Sequence, residues 1–184
     1  MTENADRYRR AIAGFSAVVD AVPSDKWTSP SPCPDWTAAH VVGHVIGGAQ
    51  MIASVKTGDT PNYEPLDAAG DDPAAGFAAA RDVALETLTD EYLNATVQGP
   101  MGETPLDELV GMILANDVLI HTWDLAKSVG IDVTLDPQLA EDALKTLEPL
   151  DAVIRQERVF GAKVEPPADA DVQTRLLCFV GRRP

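Results

Sequence analysis

Apolar residues recur along this chain at the spacing of helices, not of strands. Over Glu3 to Ala21, Tyr8, Ala11 (or Ile12), Phe15, Val18 and Val19 share one stripe that continues to Val22. Arg9, Arg10 and Asp20 fall outside it, and Pro23 and Ser24 end the pattern. A second helix is predicted after Asp35, read as its N-cap. It continues to about Lys56, ahead of Gly58, with Val41, Val42, Val45, Ile46, Ala49, Ile52 and Val55 on its apolar side. Asp72-Pro73 opens a third, alanine-rich helix to about Glu91 through Phe77, Ala80, Ala84, Leu85 and Leu88. The longest pattern lies between Pro105 and Gly130. Thr104 is its predicted N-cap, Pro105 occupies the first turn, Asp107 approximates a capping box, and Gly130 ends it. Asp136-Pro137 starts a later helix through Leu139, Ala143, Leu144, Leu147 and Leu150. Pro149 interrupts it, and it resumes through Val153 and Ile154 toward Arg158. A last short helix from about Asp171 carries Val172, Leu176, Phe179 and Val180.

The connections are of different kinds. Pro23 to Trp36 carries Pro23, Pro30, Pro32 and Pro34, too many fixed dihedrals for a helix or a central strand. It is expected to be an ordered loop pinned by Trp27 and Trp36. Thr57 to Asp72 is expected to be a polar surface crossing. Tyr92 to Glu103, with Gln98-Gly99-Pro100 and Met101-Gly102, is expected to be a loop or short hairpin, and Val164 to Ala170 a loop. Few runs alternate with period two. The predicted class is therefore all-α: a bundle of four main helices with a short extra C-terminal helix, in a single domain over residues 1–184.

Composition narrows the function more than the fold. A chain of 184 residues, 45% hydrophobic, can bury a core without disulfides. The net charge of -15 argues against nucleic acid or an anionic membrane as partner. The polar start and the short apolar runs predict a cytoplasmic protein that does not enter a membrane. Cys33 and Cys178 are far apart, form no C-x-x-C motif, and are expected to be free thiols.

The central helix carries the candidate chemistry. Leu106, Leu109, Val110, Ile113 and Leu114 define its buried stripe, and the next turns of that stripe should be apolar. Instead Asp117, His121 and Asp124 appear beside Ile120 and Leu125. A carboxylate on a buried face is costly unless something pairs with it. Asp117 and His121, at i and i+4, point the same way, as two ligands of one metal would. The same spacing also suits a plain ion pair. There are three histidines, His40, His44 and His121, so a third ligand would come from helix two, through His40 or His44. Three protein ligands leave positions open for water or substrate. Zinc is the default for imidazole and carboxylate, with nickel and ferrous iron accepting the same set. Gly47 and Gly48, one turn beyond His44, suggest that something bulky approaches there, either another helix or a ligand.

Three stretches carry a family resemblance. The run Cys33-Pro34-Asp35-Trp36-Thr37-Ala38-Ala39-His40-Val41-Val42-Gly43-His44 resembles the cysteine-proline, tryptophan, distant-histidine opening of DinB-like bundles. Asp117-Val118-Leu119-Ile120-His121-Thr122-Trp123-Asp124-Leu125-Ala126 is similar to the second signature of the mycothiol-dependent maleylpyruvate isomerase branch. The ending, from Phe160-Gly161 through Arg175-Leu176-Leu177 to Gly181-Arg182-Arg183-Pro184, resembles a subgroup described only as metal-binding. The resemblance implies metal ligands at His44, Asp117 and His121, with His40 outside the set. The family's acidic ligand is glutamate, and this chain has aspartate, one methylene shorter. The isomerases also carry a separate C-terminal domain, for which no room is expected after the bundle.

The resemblance implies a divalent-metal-binding bundle that uses a low-molecular-weight thiol, mycothiol, as cofactor. The expected activity is thiol transfer to a small electrophilic substrate, or thiol-assisted isomerisation. Metal-dependent hydrolysis is an alternative with the same ligands. A non-catalytic, dimeric metal-binding protein of stress response is the expectation from another class. Asp124 is expected to accept the other imidazole N–H or to form a local ion pair. Trp36 and Trp123 are expected in the core or a pocket wall, and Cys33 as a small buried residue. The chain shows no nucleotide-binding loop and no Ser-His-Asp order.

Overall fold

The computed structural model describes residues 2–99, 102–155 and 160–184. The sequence expectations at Pro100, Met101 and Arg158 lie outside the described residues. Contacts divide the chain into two compact units, Met1–Val133 and Thr134–Pro184.

The first unit is built on four helices. The first, α1 (Glu3–Ala21), is capped by Thr2, whose hydroxyl accepts from Ala5 N at 3.2 Å. It buries Ala5, Tyr8, Ala11, Ile12, Phe15, Val18 and Val19, the predicted stripe. The second, α2 (Ala38–Thr57), ends at Gly58 with φ of 76°. Its cap is Thr37 and not Asp35: the Thr37 hydroxyl accepts from His40 N, and His40 Nδ1 accepts from Thr37 N at 3.2 Å. Asp35 lies in the left-handed region, with φ of 65°. Trp36 N donates to Cys33 O at 3.1 Å, so Cys33 to Trp36 is a tight turn with proline at its second position and positive φ at its third.

The predicted surface crossing contains a short helix, α3 (Pro65–Ala69), laid against α2. The third main helix, α4 (Pro73–Thr87), stops before the predicted Glu91, at Leu88, and a one-turn α5 (Asp90–Leu93) follows. Thr89 breaks the run with extended dihedrals, φ -121° and ψ 160°. The strands β1 (Thr96–Gly99) and β2 (Gly102–Pro105) form an antiparallel hairpin, the shorter-hairpin option for this stretch.

The fourth main helix, α6 (Leu106–Val129), ends at Gly130 as predicted, but its start differs. Pro105 belongs to β2 and makes no side-chain cap. The Thr104 hydroxyl donates to Glu108 Oε2 at 3.1 Å. Asp107 is taken by α1, through Asn4 Nδ2 at 3.0 Å and a short bond from Thr2 Oγ1. Within α6, Val110–Leu114 winds as a π-helix. Side chains take up carbonyls there: Arg7 Nη1 donates to Gly111 O, and Asn116 Nδ2 to Met112 O.

In this unit α2 packs on α4, α1 on α6, α6 on α2 and α1 on α4, which closes a four-helix bundle. Helices α2 and α6 are long and apolar enough to cross a membrane, longer than the sequence reading allowed. Most of each is buried, as core helices are. The glycines of α2 answer their own question. A Cβ on Gly47 would meet Asn62 O at 2.8 Å and one on Gly43, a turn earlier, Pro65 O at 1.7 Å, whereas one on Gly48 would meet only Leu114 Cδ2 of α6 at an ordinary 3.5 Å. At Gly43 and Gly47 the bulky neighbour is the chain's own backbone before and within α3, so no ligand is needed to explain them, and Gly48 is not crowded.

In the second unit, α7 (Pro137–Leu147) is capped by Asp136 and buries Leu139, Ala140, Ala143, Leu144 and Leu147. Pro149 falls in a 3-10 turn, Glu148–Leu150, and α8 (Asp151–Ile154) resumes beyond it. The last helix, α9 (Val172–Phe179), is capped by Asp171. Leu135 N donates to Gln173 Oε1 at 2.7 Å, and Val164 N to Cys178 O at 2.9 Å. Cys33 and Cys178 are both buried and form no disulfide among the described residues.

Candidate metal centre

Two ends of sequence meet where α2 faces α6. From α6, Asp117 and His121 project one turn apart, just beyond the π-helical segment. From α2, His44 reaches the same carboxylate. His44 Nε2 lies 3.2 Å from Asp117 Oδ1, and His121 Nε2 lies 3.4 Å from the same oxygen. Ligand atoms of His44, Asp117 and His121 all fall within 4.8 Å of one another.

That spacing can be tested against an ion. Ligands held about 2.0–2.1 Å from a tetrahedral zinc stand about 3.3–3.4 Å apart. The two separations to Asp117, 3.2 and 3.4 Å, lie close to this, the three ligand atoms all fall within 4.8 Å, and the donors are of the right kind, two imidazole nitrogens and one carboxylate oxygen. The residues fit a small divalent cation. His40 takes no part, because its ring closes the cap of α2.

Exposure falls from one side of the cluster to the other. The His44 side chain is 37% exposed, Asp117 29%, His121 10% and Asp124 0%. Solvent therefore reaches the ligand atoms from the His44 side, and the far side is sealed. On that far side His121 Nδ1 meets Asp124 Oδ2 at 3.0 Å. Cys33 Sγ donates to the same Oδ2 at 3.4 Å and lies 4.0 Å from His121 Nδ1. Cys33, His121 and Asp124 form a second group within ligand distance, entirely buried and sharing His121 by its opposite nitrogen.

Charges within the cluster pull on one another. Burial pushes the Asp117 carboxyl up, but His44 and His121, by charge and hydrogen bond, outweigh it and hold the group well below the usual carboxylate range. Burial pushes the His121 imidazole down. The charge of Asp117 first, then the ring's hydrogen bonding with Asp117, Asp124 and Cys33, outweigh that and raise it well above the ordinary histidine value.

Aromatic groups wall the site. The Trp36 ring centroid lies 5.0 Å from that of His44 and 5.9 Å from that of His121, stacked on the latter. Trp123 is buried, with Lys127 Nζ 5.5 Å from its ring centroid. Tyr8 of α1 adds a group that the sequence reading placed only in the core. Its hydroxyl is buried with no hydrogen-bond partner among the described residues. Burial first, and then the charge of Asp117, raise its pKa, so the phenol stays protonated within electrostatic reach of that carboxylate. Nothing in the spacing of Tyr8 distinguished it from its core neighbours. Cys33 was equally hidden, since only the turn at Asp35 brings it to Asp124.

Residues 8–126 match the protein family described as the mycothiol maleylpyruvate isomerase N-terminal domain. The chain belongs to that family. All the residues of the His44, Asp117 and His121 cluster lie inside the match. An uncharacterized protein of Mycobacterium tuberculosis, Rv0738, is 33% identical over 185 residues, covering 95% of each chain. Another from the same organism, Rv0036c, is 36% identical over 174 residues, covering 84% of this chain and 65% of its own length. Among solved structures, the crystal structure of the mycothiol-dependent maleylpyruvate isomerase is similar, with a TM-score of 0.55 at 21% identity. The likeness covers 84% of this chain and 69% of that one. A variant of that enzyme superposes with a TM-score of 0.57 at 22% identity. Likeness at that identity shows the shared DinB-like helical fold.

Proposed function

We propose that this member of the family holds one divalent cation, zinc by default, through His44, Asp117 and His121. Its proposed role is to use a low-molecular-weight thiol, mycothiol, in transfer to a small electrophile or in thiol-assisted isomerisation of one. The observation that carries this reading is the approach of two imidazole Nε2 atoms to a single carboxylate oxygen at 3.2 and 3.4 Å. A bound dication would supply the charge that favours thiolate over thiol near neutral pH.

The protein's own groups do the rest. Asp117 brings a negative charge between two imidazoles, so the ligand set carries one net charge against the cation's two. His44, more than a third exposed, stands on the side from which a thiol and its substrate would enter. Trp36 covers the two imidazole rings and limits water around them. The neutral phenol of Tyr8 keeps its proton and can offer a hydrogen bond to a negatively charged group held near Asp117. The family's thiol chemistry takes place inside the cell, and the reading therefore places the protein in the cytoplasm, with a small-molecule thiol and an electrophile as partners.

Metal analysis of the purified protein tests the ligand set. One zinc, nickel or iron per chain is expected, falling to none in the His44→Ala, His121→Ala double variant. Full occupancy in that variant overturns the assignment. Thiol-dependent turnover of electrophilic substrates by the metal-loaded protein then tests the activity. Tight metal retention without any turnover would leave the non-catalytic metal-binding role.

A further inference from the structure

A carboxylate with no exposed surface stands at the sealed end of the site. Asp124 is 0% exposed, and its helix neighbours Thr122, Trp123, Leu125 and Ala126 are buried too. Burying an ionised carboxyl there is costly, and an apolar residue of similar size would be cheaper unless the charge has a task. Its oxygen Oδ2 receives two groups, His121 Nδ1 at 3.0 Å and Cys33 Sγ at 3.4 Å.

We propose that Asp124 is a positioning residue for the cation site: by accepting the Nδ1 proton of His121 it fixes the ring so that Nε2 is the nitrogen offered to a cation beside Asp117 and His44. Cys33 is the second donor that holds the carboxylate in place. This inference rests on the cation reading of His44, Asp117 and His121. An ionised carboxylate can only accept, so the nitrogen facing it must carry the proton. The opposite nitrogen, Nε2, 3.4 Å from Asp117 Oδ1, is then the one that a cation would take in place of a proton. The thiol is 4.0 Å from Nδ1 but 3.4 Å from Oδ2, which makes the carboxylate its better acceptor. Both donors come to a single oxygen from different parts of the chain, one from α6 and one from the turn before α2. Asp124 therefore ties the ring of a ligand to the segment that also delivers Trp36.

Cobalt(II) serves as the probe. Wild-type protein is expected to bind one Co(II), with a ligand-field spectrum that includes nitrogen donors. In Asp124→Asn the amide can turn its NH₂ toward Nδ1 and favour the wrong tautomer, and cobalt affinity is expected to fall about 10–100-fold with a shifted spectrum. Cys33→Ala keeps the carboxylate and should lose less than about 10-fold. A carboxylate that only supports the fold would lower the melting temperature and leave the spectrum unchanged. In zinc-loaded wild-type protein labelled with ¹⁵N-histidine, His121 should show a protonated, slowly exchanging Nδ1 and a metal-bound Nε2. That measurement stands even if Asp124→Asn does not fold. Wild-type affinity and spectrum in Asp124→Asn, or zinc on His121 Nδ1, overturns the proposal. Wild-type protein that takes up no cobalt overturns the cation reading, and the inference with it. Uptake by wild type with an indifferent Asp124→Asn overturns the inference alone.

Discussion

Tyr8 and Asp117 show how single residues at this site hold opposite kinds of tension. The Tyr8 hydroxyl is buried without a partner among the described residues. A buried donor left unpaired costs about 1–3 kcal/mol. Tyr8→Phe is therefore expected to leave stability unchanged or raise it by about 1 kcal/mol in urea unfolding, and to lower turnover if the phenol serves a bound anion. A loss of stability would show that the hydroxyl is paired. The titrating groups give a pH signature with a definite sign. Asp117 is held below its ordinary 3.8, so its contribution to stability is present above that pH and is lost as pH falls through its lowered value. His121 is raised above 6.5, so its contribution is complete below 6.5 and is lost as pH rises through its raised value. In the metal-free protein both contributions coincide between about pH 4 and pH 6.5, and thermal unfolding across pH checks this. A cation must displace the proton of His121, so zinc affinity should rise from pH 6 to pH 8, measured by chelator competition.

At the scale of the element, close backbone approach decides which glycines matter. Gly43→Ala would drive its Cβ to 1.7 Å from Pro65 O, and the obstacle is backbone. A loss of about 2–3 kcal/mol is expected, with α3 displaced from α2. Gly14 in α1 has nothing within 4 Å of a built Cβ, so Gly14→Ala should gain about 0.5–1 kcal/mol from helix propensity. Chemical denaturation of the two variants side by side checks both signs. The turn at Asp35 makes a further case. Its φ of 65° costs an L residue about 1–2 kcal/mol, so Asp35→Gly should be neutral or stabilising and Asp35→Val clearly destabilising. Because the same turn carries Cys33 and Trp36, Asp35→Val should also weaken cation binding. The predicted caps failed where a neighbour competed. Asp107 was expected to complete a capping box with Thr104, yet the start of α1 claims it through Asn4 and Thr2. Asp35 lost the cap of α2 to Thr37, because Thr37 and His40 satisfy each other.

Across the whole molecule, the cation would act as a staple between two helices of the bundle. His44 and the Asp117–His121 pair come from α2 and α6, so binding to the folded state alone must stabilise it. At a hundredfold excess over Kd the gain is about 2.7 kcal/mol. Zinc is expected to raise the melting temperature of the wild-type protein and a chelator to reverse it, with neither acting on His44→Ala. A melting temperature indifferent to zinc would contradict the cation reading. The net charge of -15 gives the whole protein a negative field, which favours the approach of cations in general.

Periodicity was enough to reveal the helices, because each main helix must bury one face and that demand is written at 3.6-residue spacing in α1, α2 and α6. It also exposed Asp117 and His121, since polar groups on a buried stripe stand out without any partner in view. The partners themselves were not legible that way. Spacing left His40 and His44 equal; the family resemblance pointed to His44, and the capping geometry of α2 supplies the reason, turning one ring inward to Asp117 and the other back to Thr37. The contact of Asp124 with His121 is local and was open to the sequence, but its second donor, Cys33, needed the Cys33–Trp36 turn to arrive from a distant segment, and Gly43 needed α3 to fold against it. Spacing along the chain encodes what a single element must bury. Only packing decides which of two equally placed side chains meets a group from elsewhere, because that depends on distances no local pattern contains.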